Sequence, residues 1–311
     1  MDNYLINENG FLNPFSSPKE AMIVDGHTHV WRYPEHLSDE FVYDASHVGG
    51  IPGGQQEKIN PIMNINLDDH WKAMEPVDKA IVVAFKSNHL KVHVPNEYVA
   101  QYVQIHPDKL IGFASVDPHD PDPIAEIEHA VEDLGLKGLK LSPIYQNVPP
   151  TDPGLLRIFG KAEKLGLPVL IHQGATFPRR VNLKNALPVL LEDVALQFPD
   201  LKMVIAHLGH PWEVDTLVLI RKQPNLYADI SALYYRPWQL YNSLILAMEY
   251  GVTHKLIFGS DYPFTTPAST IRALYELNNL VEGTRLPKIP KEVLDGIIYR
   301  DSLALLNLTV P

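Results

Sequence analysis

The sequence predicts an α/β fold: a (β/α)8 TIM barrel with an insertion after its first strand and closing helices near its end. Three observations carry this. Eight short apolar runs alternate with longer amphipathic segments. Strands that alternate with helices pair in parallel. A chain of 311 residues can also be one such barrel, which takes about 250 residues before insertions. The runs lie at residues 21–29 (AMIVDGHTH), 79–85 (KAIVVAF), 109–117 (KLIGFASVD) and 137–142 (KGLKLS). They continue at 168–172 (PVLIH), 201–207 (LKMVIAH), 225–231 (NLYADIS) and 255–261 (KLIFGSD). Each is bounded by Pro, Gly, Asp or Asn. Segments 124–134, 155–165 and 187–198 place apolar residues three and four apart, as one helical face requires. Gly135, Gly166 and Pro199 supply their stop signals.

Two stretches depart from this rhythm. Residues 31–66 are long, rich in Gly and Pro (GGIPGGQQ) and without clear periodicity, so they read as an insertion or lid over the barrel mouth. Residues 289–308 read as one or two closing helices. Residues 1–20 form a polar N-terminal extension with no basic and apolar leader pattern, and residues 21–311 are expected to be a single barrel domain.

Composition narrows the chemistry. Apolar residues make up 45% and charged residues 20%, which excludes disordered and fibrous classes. A net charge of −11 without a basic cluster argues against a nucleic-acid surface. No apolar run approaches the ~20 residues of a membrane span, and a cytoplasmic location is expected. The absence of Cys removes disulfides, thiolate nucleophiles and sulfur-ligated zinc, so a metal site must use His and carboxylates.

Alternation along the first strand puts Asp25, His27 and His29 on one face and Val24, Gly26 and Thr28 on the other. His172 ends the fifth run, His207 the sixth and Asp261 the eighth. Active sites of these barrels form at the C-terminal strand ends. A lone His there is commonly structural, but five such residues at one rim point to one divalent metal ion. Imidazole and carboxylate donors suit Zn²⁺ first, with Mn²⁺ or Fe²⁺ as alternatives. In KGLKLS, Leu139 and Leu141 suit the helix layer, which turns Lys140 into the barrel. A buried ammonium needs a partner. That partner is Asp25, Asp261 or an anionic substrate, unless the lysine is carboxylated and bridges a second metal. One metal and an unmodified lysine is the expectation. Arg179 and Arg180 after the fifth strand, and Arg236 after the seventh, could grip a carboxylate, although each could equally pair with a surface acid. His210 reads as a substrate contact or a helix-start hydrogen bond.

In order, IVDGHTH, PVLIHQG, VIAHLGH and IFGSDYPF resemble the motifs of the amidohydrolase superfamily, and more narrowly its amidohydrolase-related branch, which includes the aminocarboxymuconate-semialdehyde decarboxylase-like enzymes. The closing YRDSLALLNL is similar to that branch's last helix, with Ser302 where members often carry Asn. The resemblance covers about residues 21–308. It implies His27, His29 and His172 as metal ligands, Asp261 as a fourth ligand or a base beside the ion, and His207 as an acid/base. The expected activity is metal-assisted hydrolysis of a C–O or C–N bond (lactone, ester or amide) in a small, carboxylated substrate. The alternative is a metal-dependent non-oxidative decarboxylase, or a hydratase, of a cyclic or unsaturated carboxylic acid. A barrel that binds a metabolite without turnover, and a zinc-stabilised scaffold, rank below both. The partner is a small molecule, with a homo-oligomer left open.

Overall fold

The computed structural model describes residues 22–48 and 62–308. The expected extension 1–20 and the GGIPGGQQ part of the insertion lie outside them. Within them the barrel is present. Its strands are β1 (Val24–His29), β2 (Lys79–Val83), β5 (Leu110–Ser115), β6 (Gly138–Leu141), β7 (Val169–Ile171), β8 (Met203–Ile205), β9 (Leu226–Asp229) and β10 (Leu256–Ile257). They form one sheet in chain order, each pair parallel. The two ends of the sheet meet: Gly26 N donates to Phe258 O (2.9 Å), Asp261 N to His27 O (2.8 Å) and His29 N to Tyr262 O (2.8 Å). All eight expected runs are therefore strands, each shorter than its apolar run.

Two apolar cores follow from the alternation. Val24, Ile81, Val83, Ile111, Phe113, Leu170, Val204 and Ile257 pack together inside the barrel. Leu139, Leu141, Val169, Ile171 and their like pack outward against the helices. One small residue lets the inner layer close. A Cβ on Gly138 would sit 2.5 Å from the Phe113 ring, so β6 leaves that inner position to its neighbour's aromatic side chain. The first strand departs from strict alternation. Its register with β2 shifts between Asp25 and Thr28. This bulge lets Val24 join the inner core on the same side as the two histidines, where simple period-two counting separates them.

Several helices start as the sequence signals. Asp122 caps α4 (Pro123–Glu132), Asp152 caps α5 (Pro153–Leu165) and Thr266 caps α9 (Pro267–Glu276), each followed by Pro in the first turn. Gly166 ends α5 in the left-handed conformation at φ 67°. Segment 187–198 is not one helix. Pro188 holds Leu187 extended, a 3₁₀ turn follows, and only Leu191–Gln197 (α6) is α-helical.

The mouth carries elements the pattern did not announce. Helix α1 (Asp39–Val48) lies in the insertion, and a hairpin of β3 (Phe85–Ser87) and β4 (Val92–Val94) follows β2. The remaining helices are α2 (Leu67–Ala73), α3 (Asn96–Ile105), α7 (Glu213–Lys222), α8 (Pro237–Glu249), α10 (Lys291–Ile298) and α11 (Ser302–Leu305). The last two are the expected closing helices. None among the described residues is long and apolar enough to cross a membrane.

Candidate metal centre and cavity

The C-terminal strand ends deliver their side chains to one cavity of about 220 Å³. Its floor holds His27, His29, Lys140, His172, His207 and Asp261. Its walls are largely aromatic, including Trp31, Phe41, Phe85, Tyr145, Tyr235 and Phe264. The volume falls below the roughly 300–1,000 Å³ of sites for drug-sized ligands and suits a one-ring molecule.

His27 is fixed from behind by Asp229 at the end of β9. Its Nδ1 lies 3.0 Å from Asp229 Oδ2, both side chains fully buried. Asp229 Oδ1 accepts from His207 N (2.8 Å), Ser231 N (3.0 Å) and Ser231 Oγ (2.5 Å). With every contact a donor, Asp229 acts as acceptor throughout. His27 Nδ1 then carries the hydrogen and Nε2 the lone pair. That Nε2 accepts from Lys140 Nζ at 2.8 Å. Ser231 gives its hydroxyl proton to Asp229 and so accepts from His207 Nδ1 (2.7 Å), which likewise leaves the His207 lone pair on Nε2.

Asp261 Oδ1 lies 3.2 Å from His29 Nε2 and 3.6 Å from His27 Nε2. Two ligands about 2.1 Å from one tetrahedral ion stand about 3.4 Å apart, so this spacing fits donors sharing a cation. Among the described residues, His27, His207 and Asp261 form the group whose donor atoms all lie within 4.8 Å of one another. The donor set therefore fits a divalent metal. His172 lines the same cavity, its ring 5.2 Å from that of His207, but its Nε2 donates to Ala175 O (3.2 Å). The His27 and His207 rings stack at 5.0 Å.

Burial sets the charges. It holds His27, His29 and His207 well below the usual imidazole range, with Lys140 adding to the effect, and brings His172 down to about 3. All four are neutral, the form that ligates. Burial also raises the Asp261 carboxyl and lowers the Lys140 ammonium, while their mutual attraction opposes both shifts. Asp25 is buried behind β1, accepting from Ser260 N (2.9 Å) and His27 N (3.1 Å), and burial raises it to about 7. His207, Leu208, Ala232 and Asp261 all adopt positive φ at the ends of β8, β9 and β10. Such backbone costs about 1–3 kcal/mol per residue and clusters at working sites.

The expected residues divide in two. His27, His29, Lys140, His172, His207, His210, Arg236 and Asp261 all line the cavity. Lys140 points inward as its alternation requires, but its close partner is His27, not Asp25 or Asp261. His210 also makes the helix-start bond, to Glu213 Oε1 (2.7 Å). Arg236 is half-buried, held by Ala232 O (3.2 Å) and stacked 4.4 Å over Tyr235. Arg179 and Arg180 are a correction. Both are exposed and neither lines the cavity, and each side chain pairs with an acid on α1: Arg179 Nε lies 3.7 Å from Asp44 Oδ1, and Arg180 Nη1 pairs with Glu40 Oε2 (3.0 Å). Asp229 and Ser231 were missed. The available signal was positional, since Asp229 ends the seventh strand at the same rim.

A family profile described as Amidohydrolase matches residues 24–308. A gamma-resorcylate decarboxylase from Rhizobium sp. (strain MTP-10005) is 23% identical over 155 residues, 39% of this chain and 46% of that protein, so the match spans about half its length. A 5-carboxyvanillate decarboxylase from Novosphingobium aromaticivorans, solved with manganese and 4-hydroxy-3-methoxy-5-nitrobenzoic acid, superposes with a TM-score of 0.65 at 15% identity, covering 92% of this chain and 96% of that one. A probable 2-pyrone-4,6-dicarboxylic acid hydrolase from Acinetobacter baumannii gives 0.65 at 18% identity, covering 92% and 99%. These structural likenesses establish the fold. With a profile that spans the whole barrel, the chain belongs to the amidohydrolase superfamily, in the branch of the aminocarboxymuconate-semialdehyde decarboxylase-like enzymes.

Proposed function

We propose that this protein is a divalent-metal-dependent, non-oxidative decarboxylase of a small hydroxylated aromatic carboxylic acid. The observation that carries the reading is a ring-sized cavity with aromatic walls and a floor of neutral imidazoles, a carboxylate and an ammonium. The relative that acts on gamma-resorcylate and the manganese-bearing neighbour support it, and they favour the decarboxylase over the hydrolase expected first.

His27 and Asp261, with His29 beside them, would hold the ion, and His207 would stand next to it with Nε2 left for proton transfer. When bound, it supplies positive charge that anchors the substrate's anionic oxygens. The remaining chemistry belongs to the chain. The aromatic walls orient the ring and exclude water. His207 Nε2 takes up a proton in the cavity and passes it to the ring carbon that bears the carboxylate. The C–C bond then breaks, its electron pair restores the aromatic ring, and CO₂ leaves. Burial makes the charged imidazole a ready donor, and Ser231 fixes which nitrogen carries the proton. Incubation of the Mn²⁺-loaded protein with 2,6-dihydroxybenzoate and 5-carboxyvanillate should release CO₂. Cleavage of 2-pyrone-4,6-dicarboxylate without CO₂ release would instead select the hydrolase, the reading that the second neighbour favours.

A further inference from the structure

Lys140 occupies an unusual position for a lysine. Its side chain is buried inside the barrel, and its Nζ lies 2.8 Å from His27 Nε2. Because Asp229 fixes the hydrogen of that ring on Nδ1, the nitrogen facing Lys140 is the one with the lone pair. This is also the nitrogen that stands 3.6 Å from Asp261 Oδ1, at the spacing of two ligands of one ion. One lone pair serves one cation at a time, and here an ammonium already uses it. Among the described residues Lys140 has no carboxylate in ion-pair contact, so His27 is its close partner.

The same strand face offers an alternative seat. Ser142, two residues on, lines the cavity, and its buried Oγ has no hydrogen-bond partner. Two residues of strand advance about 6.6 Å, a step that the flexible four-carbon stem of lysine covers. A like charge beside a divalent ion in a buried site is strongly repelled, so the two cations exclude each other.

We propose that Lys140 is an internal rival of the divalent ion: its ammonium and the ion compete for the lone pair of His27 Nε2, and an ion on that nitrogen turns the ammonium toward Ser142 and the cavity, there to face the anionic group of the substrate. The lysine thus weakens metal binding in exchange for a substrate-facing charge. This inference rests on the metal centre of the proposed function, and its test separates the two.

The test is calorimetric titration of Mn²⁺ into chelator-treated wild-type protein and into Lys140→Met, which keeps the stem and removes the charge. The expected result is one ion per chain in both, bound at least about tenfold more tightly by the variant. Binding by the variant alone would support the same conclusion. Equal affinities would overturn the rivalry while leaving the metal centre standing. So would weaker binding by the variant together with a bicarbonate-dependent second ion in the wild type, the signature of a carboxylated lysine acting as a ligand. No Mn²⁺ binding by either protein would overturn the metal centre itself. A measurement on the wild type alone covers a variant that fails to fold. Cyanate labelling of Lys140, read by peptide mass spectrometry, should rise when Mn²⁺ is present, and unchanged or reduced labelling would refute the swing.

Discussion

Replacing Asp229 by Asn tests whether His27 is built to present a lone pair. The carboxylate is fully buried and satisfies four donors: His27 Nδ1 on one oxygen, and His207 N, Ser231 N and Ser231 Oγ on the other. Asn offers one oxygen and one NH₂ group. If the oxygen stays with the three donors, the NH₂ faces His27 Nδ1 and forces the ring hydrogen onto Nε2, the nitrogen that meets Lys140 and would meet an ion. If the amide flips, three donors face an NH₂ group and the rim of β8 and β9 loses its anchor. The first outcome is the less costly, since unsatisfied buried groups cost about 1–3 kcal/mol each. Loss of a carboxylate behind a ligating histidine lowers metal affinity about 10–100-fold, which is about 1.4–2.7 kcal/mol. Mn²⁺ titration of Asp229→Asn against wild type, with thermal unfolding to confirm that the variant is folded, measures this directly. An unchanged Mn²⁺ affinity in a folded variant would refute the role given to the His27–Asp229 pair.

Other substitutions probe separate parts of the site. His207→Asn should leave Mn²⁺ content near wild type and abolish CO₂ release; loss of the ion, seen by elemental analysis, would make His207 a ligand. Asp261→Asn should lose turnover and bind Mn²⁺ at least about tenfold more weakly, by removal of the carboxylate from the donor set. Arg236→Met should raise KM for a doubly carboxylated substrate about tenfold or more with a smaller change in kcat, because loss of a charge-assisted hydrogen bond costs about 1.5–3 kcal/mol. Equal KM values would remove Arg236 from substrate binding. Away from the chemistry, Gly138→Ala should lower stability by about 1–3 kcal/mol in denaturant unfolding, since its Cβ would press on the Phe113 ring.

The elements that sequence reading located are those set by local pattern. Strand ends could be read because a barrel strand is a short apolar run with a fixed exit, and His27, His29, His172, His207 and Asp261 stand at such exits. Lys140 could be read from period two alone, flanked by leucines that belong to the helix layer. What escaped depends on distant partners. Asp229 meets His27 across 202 positions of chain, and nothing in YADIS distinguishes it from a buried strand-end acid. The bulge in β1 is set by its pairing with β2, so Val24 was assigned to the wrong face. Arg179 and Arg180 looked like substrate anchors because they follow a site strand. Their side chains pair with Asp44 and Glu40 on α1, a helix in a stretch whose Gly-rich neighbours hid its periodicity. Phe85 reaches the cavity only because a three-residue strand folds back as a hairpin, too short to register as an alternating pattern.

Anomalous diffraction at the manganese edge, from crystals grown with Mn²⁺, tests the centre most directly. A single peak at bonding distance from His27 Nε2 and an Asp261 carboxylate oxygen, with Lys140 Nζ withdrawn from His27, is the predicted result. A barrel with no peak at its floor, and Lys140 still bonded to His27 in fully active protein, would contradict it.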